Sequence, residues 1–301
     1  MDHQPYPKIA QRVPDDLTAG TWVATEKLHG AHLVLGFDGA RVSFGKRKAW
    51  LTADEPFFGW QLLRATLESA ITTTWKLLGT ASAIRVHGEL IGGEYPHPAV
   101  PRVPGVSAVQ TGCWYDPGLR FVAFDLVLES PTPTFLAFHE LEALGRFELP
   151  PVLGRGSRAT LLQLPVEFPS RLATARGLPA VPGNLAEGLV LKPDTRWAVA
   201  DRPTLKRKHP RFDDAKYDES SAWSPRASLT EAEWRQLAAI LVNPARVSSA
   251  RSKVGDDAAR IADEVVLDVL LDLEAFQPRA FALADPEVLS ALTLEALQAL
   301  G

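Results

Sequence analysis

Short apolar, β-rich runs recur between residues 21 and 208 and then stop, and beyond "KHPRFDDAKYDESSAWSP" the chain reads as helix. Strand and helix patterning bury different faces, so a switch of this kind predicts a mixed α+β front and a small all-α back. The boundary is expected near residues 215–228, giving units of 1–218 and 219–301. In the front, residues 21–45 read as a hairpin: "TWVAT", then "HLVLGF", a tight Asp38-Gly39 turn and "ARVSFG". Residues 56–78 have helical spacing, with Phe58, Leu62, Leu63 and Leu67 near one face. Strands are expected at 83–92, 119–128 and 187–193, a helix at 134–147, and loops with one short helix over 150–183. In the back, Ser228 or Thr230 caps a helix, each three residues before Glu231 or Glu233, and residues 256–276 and 285–300 are helical. No internal repeat is present.

The 301 residues suffice for two cores, and 46% hydrophobic with 23% charged residues is an ordinary globular balance. One cysteine, Cys113, excludes an internal disulfide framework and a cysteine zinc site. The start "MDHQPYPKIAQRVP" is too polar for a signal peptide, and no apolar run reaches membrane-spanning length. A cytoplasmic protein of bacterial or phage-like style is the expectation. The net charge of −4 is uneven: residues 219–301 hold 13 acidic and 7 basic residues, residues 1–218 hold 23 and 25. Nucleic-acid binding must therefore come from local patches.

"TEKLHGAHLVLGF" (25–37) sets Lys27 at a seam between strand-like runs. A lysine held among apolar strands or near other cations loses proton affinity, and a neutral amine is a nucleophile. Gly30 would let a phosphate or sugar approach the backbone. Alone, the stretch is better read as a surface lysine at a strand end. "SFGKRKAWL" supplies Lys46, Arg47 and Lys48, which alternation aims to opposite faces, so one or two could serve a site. Glu89 in "VHGELIGG" sits in an apolar strand and needs a ribose hydroxyl or a lysine, unless it is an edge-strand residue. Phe124 and Asp125 of "FVAFDL" are expected on opposite faces, with Phe124 either core or stacked on a base. Glu187 and Lys192 bracket "AEGLVLKP", five apart and so on opposite faces unless the strand bends; Glu187 would suit magnesium or its waters, Lys192 a phosphate. Lys206 and Lys208 in "TLKRKHPRF" share a face, and two like charges invite an anion, a salt bridge or solvent.

Taken in order, Lys27-x-His29-Gly30, Arg47, "GEL" with Glu89, "AFD", "EGLVLKP" and "LKRK" resemble the nucleotidyltransferase motifs of ATP-dependent polynucleotide ligases. The resemblance is nearest to the RNA ligase 2 family, which seals nicks in duplex RNA. "VQTGCWYDPGLRFVAFDL" and, in the tail, "VNPARVSSARSKVG" are also similar to that family. The resemblance implies an adenylation domain of antiparallel sheets with flanking helices, followed by a helical domain that contacts the RNA nick. It implies that Lys27 attacks the α-phosphate of ATP to give lysyl-AMP. Glu26 and Phe124 would border the adenine, Arg47 and Glu89 the ribose. Glu187 would hold Mg²⁺ or Mn²⁺, and Lys192, Lys206 and Lys208 would neutralise phosphate. His29 and Gly30 would stand beside the nucleophile. Lys46, Arg246, Arg251 and Lys253 would touch RNA.

The AMP would pass to a 5′-phosphate, and a 3′-hydroxyl would then seal the RNA. No obligatory protein partner and no membrane are implied. One departure is His32, where the family has Asn two residues after the motif glycine. Only 26 residues precede Lys27, so no N-terminal OB domain is expected. Two other readings stay open: a transferase or ligase acting on DNA or a small acceptor, and a non-catalytic RNA-end binder.

Overall fold

The computed structural model describes residues 1–9, 20–80, 82–212 and 224–300. In chain order the front carries β1 (Trp22–Lys27), β2 (Ala31–Phe37), β3 (Val42–Lys46) and β4 (Ala49–Trp50), then α1 (Arg64–Leu78). A long hairpin follows, β5 (Ala83–Glu94) and β6 (Asp116–Glu129), then β7 (Thr134–Phe135), α2 (Phe138–Leu144) and β8 (Val152–Gly156). Two single-turn helices, α3 (Arg158–Leu161) and α4 (Leu172–Ala175), lead to β9 (Gly188–Pro193), β10 (Trp197–Ala198) and β11 (Leu205–Lys208). The back is helical: α5 (Glu231–Leu241), α6 (Pro244–Val254), α7 (Ala258–Phe276), α8 (Pro278–Phe281) and α9 (Pro286–Leu300). The expected α+β architecture is thus observed, and the named strands pair antiparallel in two sheets, ordered β11-β9-β1-β8 and β10-β7-β6-β5-β2-β3-β4.

The hairpin expected over 21–45 is divided. β2 and β3 pair around the Asp38-Gly39 turn, but β1 belongs to the smaller sheet. The seam at Lys27 is therefore a crossing between sheets. Leu28 anchors it, buried with Ile91, Tyr115, Val122 and Phe212. Gly30 then passes so close to β5 that a Cβ would lie 2.2 Å from the Leu90 carbonyl oxygen and 2.9 Å from Glu89 Cγ. Protein thus takes the space a side chain at Gly30 would need, and Gly30 also lines the cavity described below.

Other boundaries shift for local reasons. The helix expected from residue 56 starts after Phe58 and Gly59, whose φ values of 56° and 79° are left-handed; a 3₁₀ turn at Trp60–Leu63 leads into α1. The helix expected at 134–147 shortens because Thr134–Phe135 pairs with β6 and Gly145 closes α2 at φ 59°. β8 lies within the stretch expected to be loop; its two glycines hid the alternation, yet it pairs with β1 from Trp22↔Gly156 to Thr25↔Val152. Of the two cap candidates, Thr230 caps α5, in a reciprocal box with Glu233.

The main core joins front and back. Sheet residues Leu33, Leu35, Val86, Leu90 and Phe121 cluster with Leu67 and Ile71 of α1 and with Trp234, Leu237, Val265, Val269, Leu273 and Phe276 of the back helices. Each such buried side chain contributes about 1.5–3 kcal/mol of apolar transfer energy. Gln277 adds a polar bridge, accepting from Arg226 N at 2.7 Å and donating to Gly105 O at 3.0 Å. The boundary expected at 215–228 falls mostly on residues 213–223, outside the described residues.

Candidate active site

A cavity of about 700 Å³ opens between the two sheets, and Lys27 lies in its wall. The smaller sheet places its lysines by register. Lys27 pairs with Gly188 and Thr25 with Val190 on one side of β9; Lys208 pairs with Gly188 and Lys206 with Val190 on the other. Period-two alternation then turns Thr25, Lys27, Val190, Lys192, Lys206 and Lys208 toward the cavity. The larger sheet supplies His32, Glu89 and Phe124. Lys46, Arg47 and Lys48 all border the space, because residues 47–48 form the turn between β3 and β4 and alternation lapses there. The N-terminal segment closes one side with Tyr6, Pro7 and Ile9.

Glu187 is buried and reaches Lys27 despite the odd spacing. Gly188 bends the chain with φ 144°, and a Cβ there would lie 2.0 Å from the Arg207 carbonyl oxygen. The bend brings Lys27 Nζ to 2.6 Å from Glu187 Oε2, His29 Nδ1 to 3.5 Å from the same oxygen, and Lys208 Nζ to 3.1 Å from Oε1. Burial alone would raise the Glu187 carboxyl, but His29 and Lys27 outweigh it and hold it near 2. His29 is fixed through its peptide N–H, which donates to the Tyr115 hydroxyl at 2.9 Å. Among the described residues no group of three or more His, Cys, Asp or Glu suits a metal. Glu187, a single ionised carboxylate beside phosphate-suited lysines, fits a hard cation that keeps waters and borrows oxygens from a substrate phosphate.

A bulge in β6 revises the reading of Phe124 and Asp125. His87 pairs with Asp125 but Gly88 with Ala123, which leaves Phe124 as the extra residue and turns both side chains to the cavity. Asp125 is buried and accepts from Lys192 at 2.9 Å, from Arg202 at 2.7 and 2.5 Å, and from the Tyr6 hydroxyl at 2.6 Å. Burial opposes its ionisation, yet Arg202 and Lys192 overcome that and hold the carboxyl well below the usual range. Lys192 also donates to the Phe124 carbonyl. Its ammonium is thus a buried member of this cluster, while Lys206 and Lys208 are only half-buried.

Burial raises Glu89 to about 7, against the pull of Lys27. Glu26 is buried, accepting from Ser170 Oγ at 2.6 Å and the Arg171 peptide N–H at 2.9 Å. Arg47 is exposed at the cavity edge, and Lys46 pairs with Glu55. Tyr6, Asp125, Arg202 and His87 were not picked out as site residues. Their contacts span up to 196 positions, and only the burial cost of Asp125 in an apolar run could have signalled them.

The basic residues expected to touch RNA from the tail are engaged elsewhere. Arg246 is 1% exposed and donates to Asp272 at 2.5 Å and the Leu241 carbonyl at 3.0 Å; Asp272 also pairs with Arg64 of α1 at 2.8 Å. A guanidinium so enclosed cannot reach a phosphate, which corrects the expectation for Arg246. Lys253 pairs with Glu264 at 2.7 Å and Asp268 at 3.2 Å, and Arg251 with Asp256 at 3.3 Å, so each phosphate contact would compete with a resident carboxylate.

The model of the family described as RNA ligase matches residues 20–208, and the chain belongs to that family. Mitochondrial RNA-editing ligase 2 of Trypanosoma brucei brucei is 33% identical over 200 residues, which cover 57% of this chain and 48% of the relative. Mitochondrial RNA-editing ligase 1 of Trypanosoma brucei brucei is 29% identical over 213 residues, covering 58% and 45%. The chain thus spans about half the length of these relatives. Among solved structures, a mutant Naegleria gruberi RNA ligase with ATP and Mn is 15% identical, with a TM-score of 0.44, covering 66% of this chain and 52% of that one. Among the described residues no helix is long and apolar enough to cross a membrane.

Proposed function

We propose that this chain joins RNA ends at the expense of ATP, by adenylyl transfer through Lys27, at breaks in duplex RNA. The observation that carries the reading is the lysine row: Lys27, Lys192, Lys206 and Lys208 line one cavity wall. Nucleotidyl transfer needs positioning and charge neutralisation above all, and this wall offers both.

The adenine would enter beside Phe124 and the ribose beside Glu89 and Arg47. Lys206 and Lys208 would meet the phosphates. The Lys27 amine must reach the α-phosphorus without its proton, so its ion pair with Glu187 is exchanged as substrate enters. Nζ then forms the P–N bond and pyrophosphate leaves. The AMP moves on to an RNA 5′-phosphate, and a 3′-hydroxyl displaces it to close the strand. Glu187 would hold Mg²⁺ or Mn²⁺, which supplies charge stabilisation to the phosphate oxygens when bound.

Incubation with labelled ATP and a divalent cation tests the first step. Label should appear on the wild type and fall to background in Lys27→Ala; label that survives this substitution would remove the assignment. Nicked duplexes with RNA or DNA on each side of the break test the acceptor, and equal sealing of all-DNA nicks would reject RNA as the preferred substrate.

A further inference from the structure

His32 and His87 make a contact that the proposed chemistry has not used. His32 lines the cavity from β2, its ring centroid 5.7 Å from Phe124, and it pairs across the sheet with Glu89. Its Nε2 lies 3.1 Å from Nδ1 of His87 on β5. His87 is 2% exposed, with the Tyr6 ring 5.0 Å away. Asp125, its partner across β6, is already occupied by Lys192, Arg202 and Tyr6. Burial, then the charge of Arg47, lowers His32 to about 4, and burial lowers His87 well below its ordinary value, so both rings are neutral near pH 7.

Two neutral imidazoles sharing one hydrogen bond hold a single proton between them. If His87 Nδ1–H donates, His32 Nε2 accepts and the His32 proton sits on Nδ1. If His32 donates, its Nδ1 is an acceptor instead. The tautomer of the cavity-lining ring is therefore tied to its buried partner.

We propose that His32 is a nucleotide-contacting residue, donating from Nδ1–H to an oxygen at the ribose–phosphate end of the bound ATP, and that His87 is the positioning residue that fixes this tautomer. The neighbours select the direction. Glu89 pairs with His32 in register and Arg47 also lines the cavity, so an oxygen-rich part of the ligand would stand there. Oxygens of ribose and phosphate accept hydrogen bonds, and only the Nδ1–H tautomer gives to them. The inference rests on ATP occupying the cavity, as in the proposed function.

The test is a cycle of variants read by ATP binding to Lys27→Ala protein and by single-turnover labelling of protein with Lys27 intact. His87→Phe should weaken ATP about tenfold, the value of one lost hydrogen bond, and act on KM more than kcat. His87→Asn, whose amide can replace the Nδ1 donor, should restore affinity to within about threefold. An amide at position 32 needs no tautomer control, so His87→Phe should add less than about twofold in a His32→Asn background. Imidazole ¹⁵N shifts should show His32 protonated at Nδ1 in the ATP complex.

A full effect of His87→Phe in the His32→Asn background, or an Nε2–H tautomer of His32, would overturn the proposal. So would unchanged affinity in His87→Phe. The two readings fail separately. Unlabelled wild-type protein that still binds ATP with this pattern rejects adenylyl transfer alone, and labelled protein without the pattern rejects the histidine pair alone.

Discussion

The cavity wall and helix α6 both carry grouped basic residues, yet the fold treats them in opposite ways. Around the cavity, Glu187 is shared by Lys27, His29 and Lys208, and among the described residues no carboxylate lies within ion-pair distance of Arg47, Lys48 or Lys206. In the tail, Arg246, Arg251 and Lys253 each have a carboxylate in place. Uncompensated positive charge is costly without a ligand and useful with one; matched charge is structural. The meaning of a basic stretch thus depends on what register and helix packing set opposite it.

Removing charge from each region should therefore give opposite signatures. Lys206→Ala should cut Lys27 labelling by about a hundredfold, the scale for one lost group that stabilises transition-state charge, with little change in unfolding midpoint. Pre-steady-state labelling and denaturant titration check this; a collapse in stability with normal labelling would reverse the comparison. Arg246→Ala should do the converse, destabilising by about 3–5 kcal/mol because Asp272 is left buried with less charge to meet it. The folded fraction should label normally and bind nicked RNA with an unchanged salt slope.

Glu89 sharpens the contrast from the acidic side. Its carboxyl is raised from 4.5 to about 7, so in the folded state it ionises later than in the unfolded chain. Stability is then lost as pH rises from about 4.5 to about 7 and stays lower above that. Glu89→Gln removes this loss: it should add up to about 3 kcal/mol at pH 8 and nothing at pH 4, by denaturant titration at both. Equal gains at both pH values would show that the carboxyl is not held neutral.

The parts of the site that were legible in the sequence are those carried by short strands. Lys27, Lys192, Lys206 and Lys208 all line the cavity, because alternation is a local property, although Asp125 takes the Lys192 ammonium that was expected to meet phosphate. Phe124 beside Asp125 was misread because one extra residue in β6 inverts the parity, and a bulge leaves no mark in composition. Glu187 was read as conditional on a bend, and Gly188 supplied it. The role of Arg246 was not legible, because its partner Asp272 is 26 positions away on another helix. β1 joining the smaller sheet was equally invisible, since β8 and β9, which flank it, lie more than 120 residues downstream.

The core that runs from the sheet through α1 into α5, α7 and α9 makes the helices part of the foundation of the half that carries the cavity. Cutting the chain near residue 224 would strip the cover from Leu67, Ile71 and the ring-to-glycine contact of Phe276 with Gly59. A shortened chain would have to re-solve its interior before the cavity could form. Any exchange of this tail for another, by engineering or by descent, must carry matching changes on α1 and on the strand face beneath it.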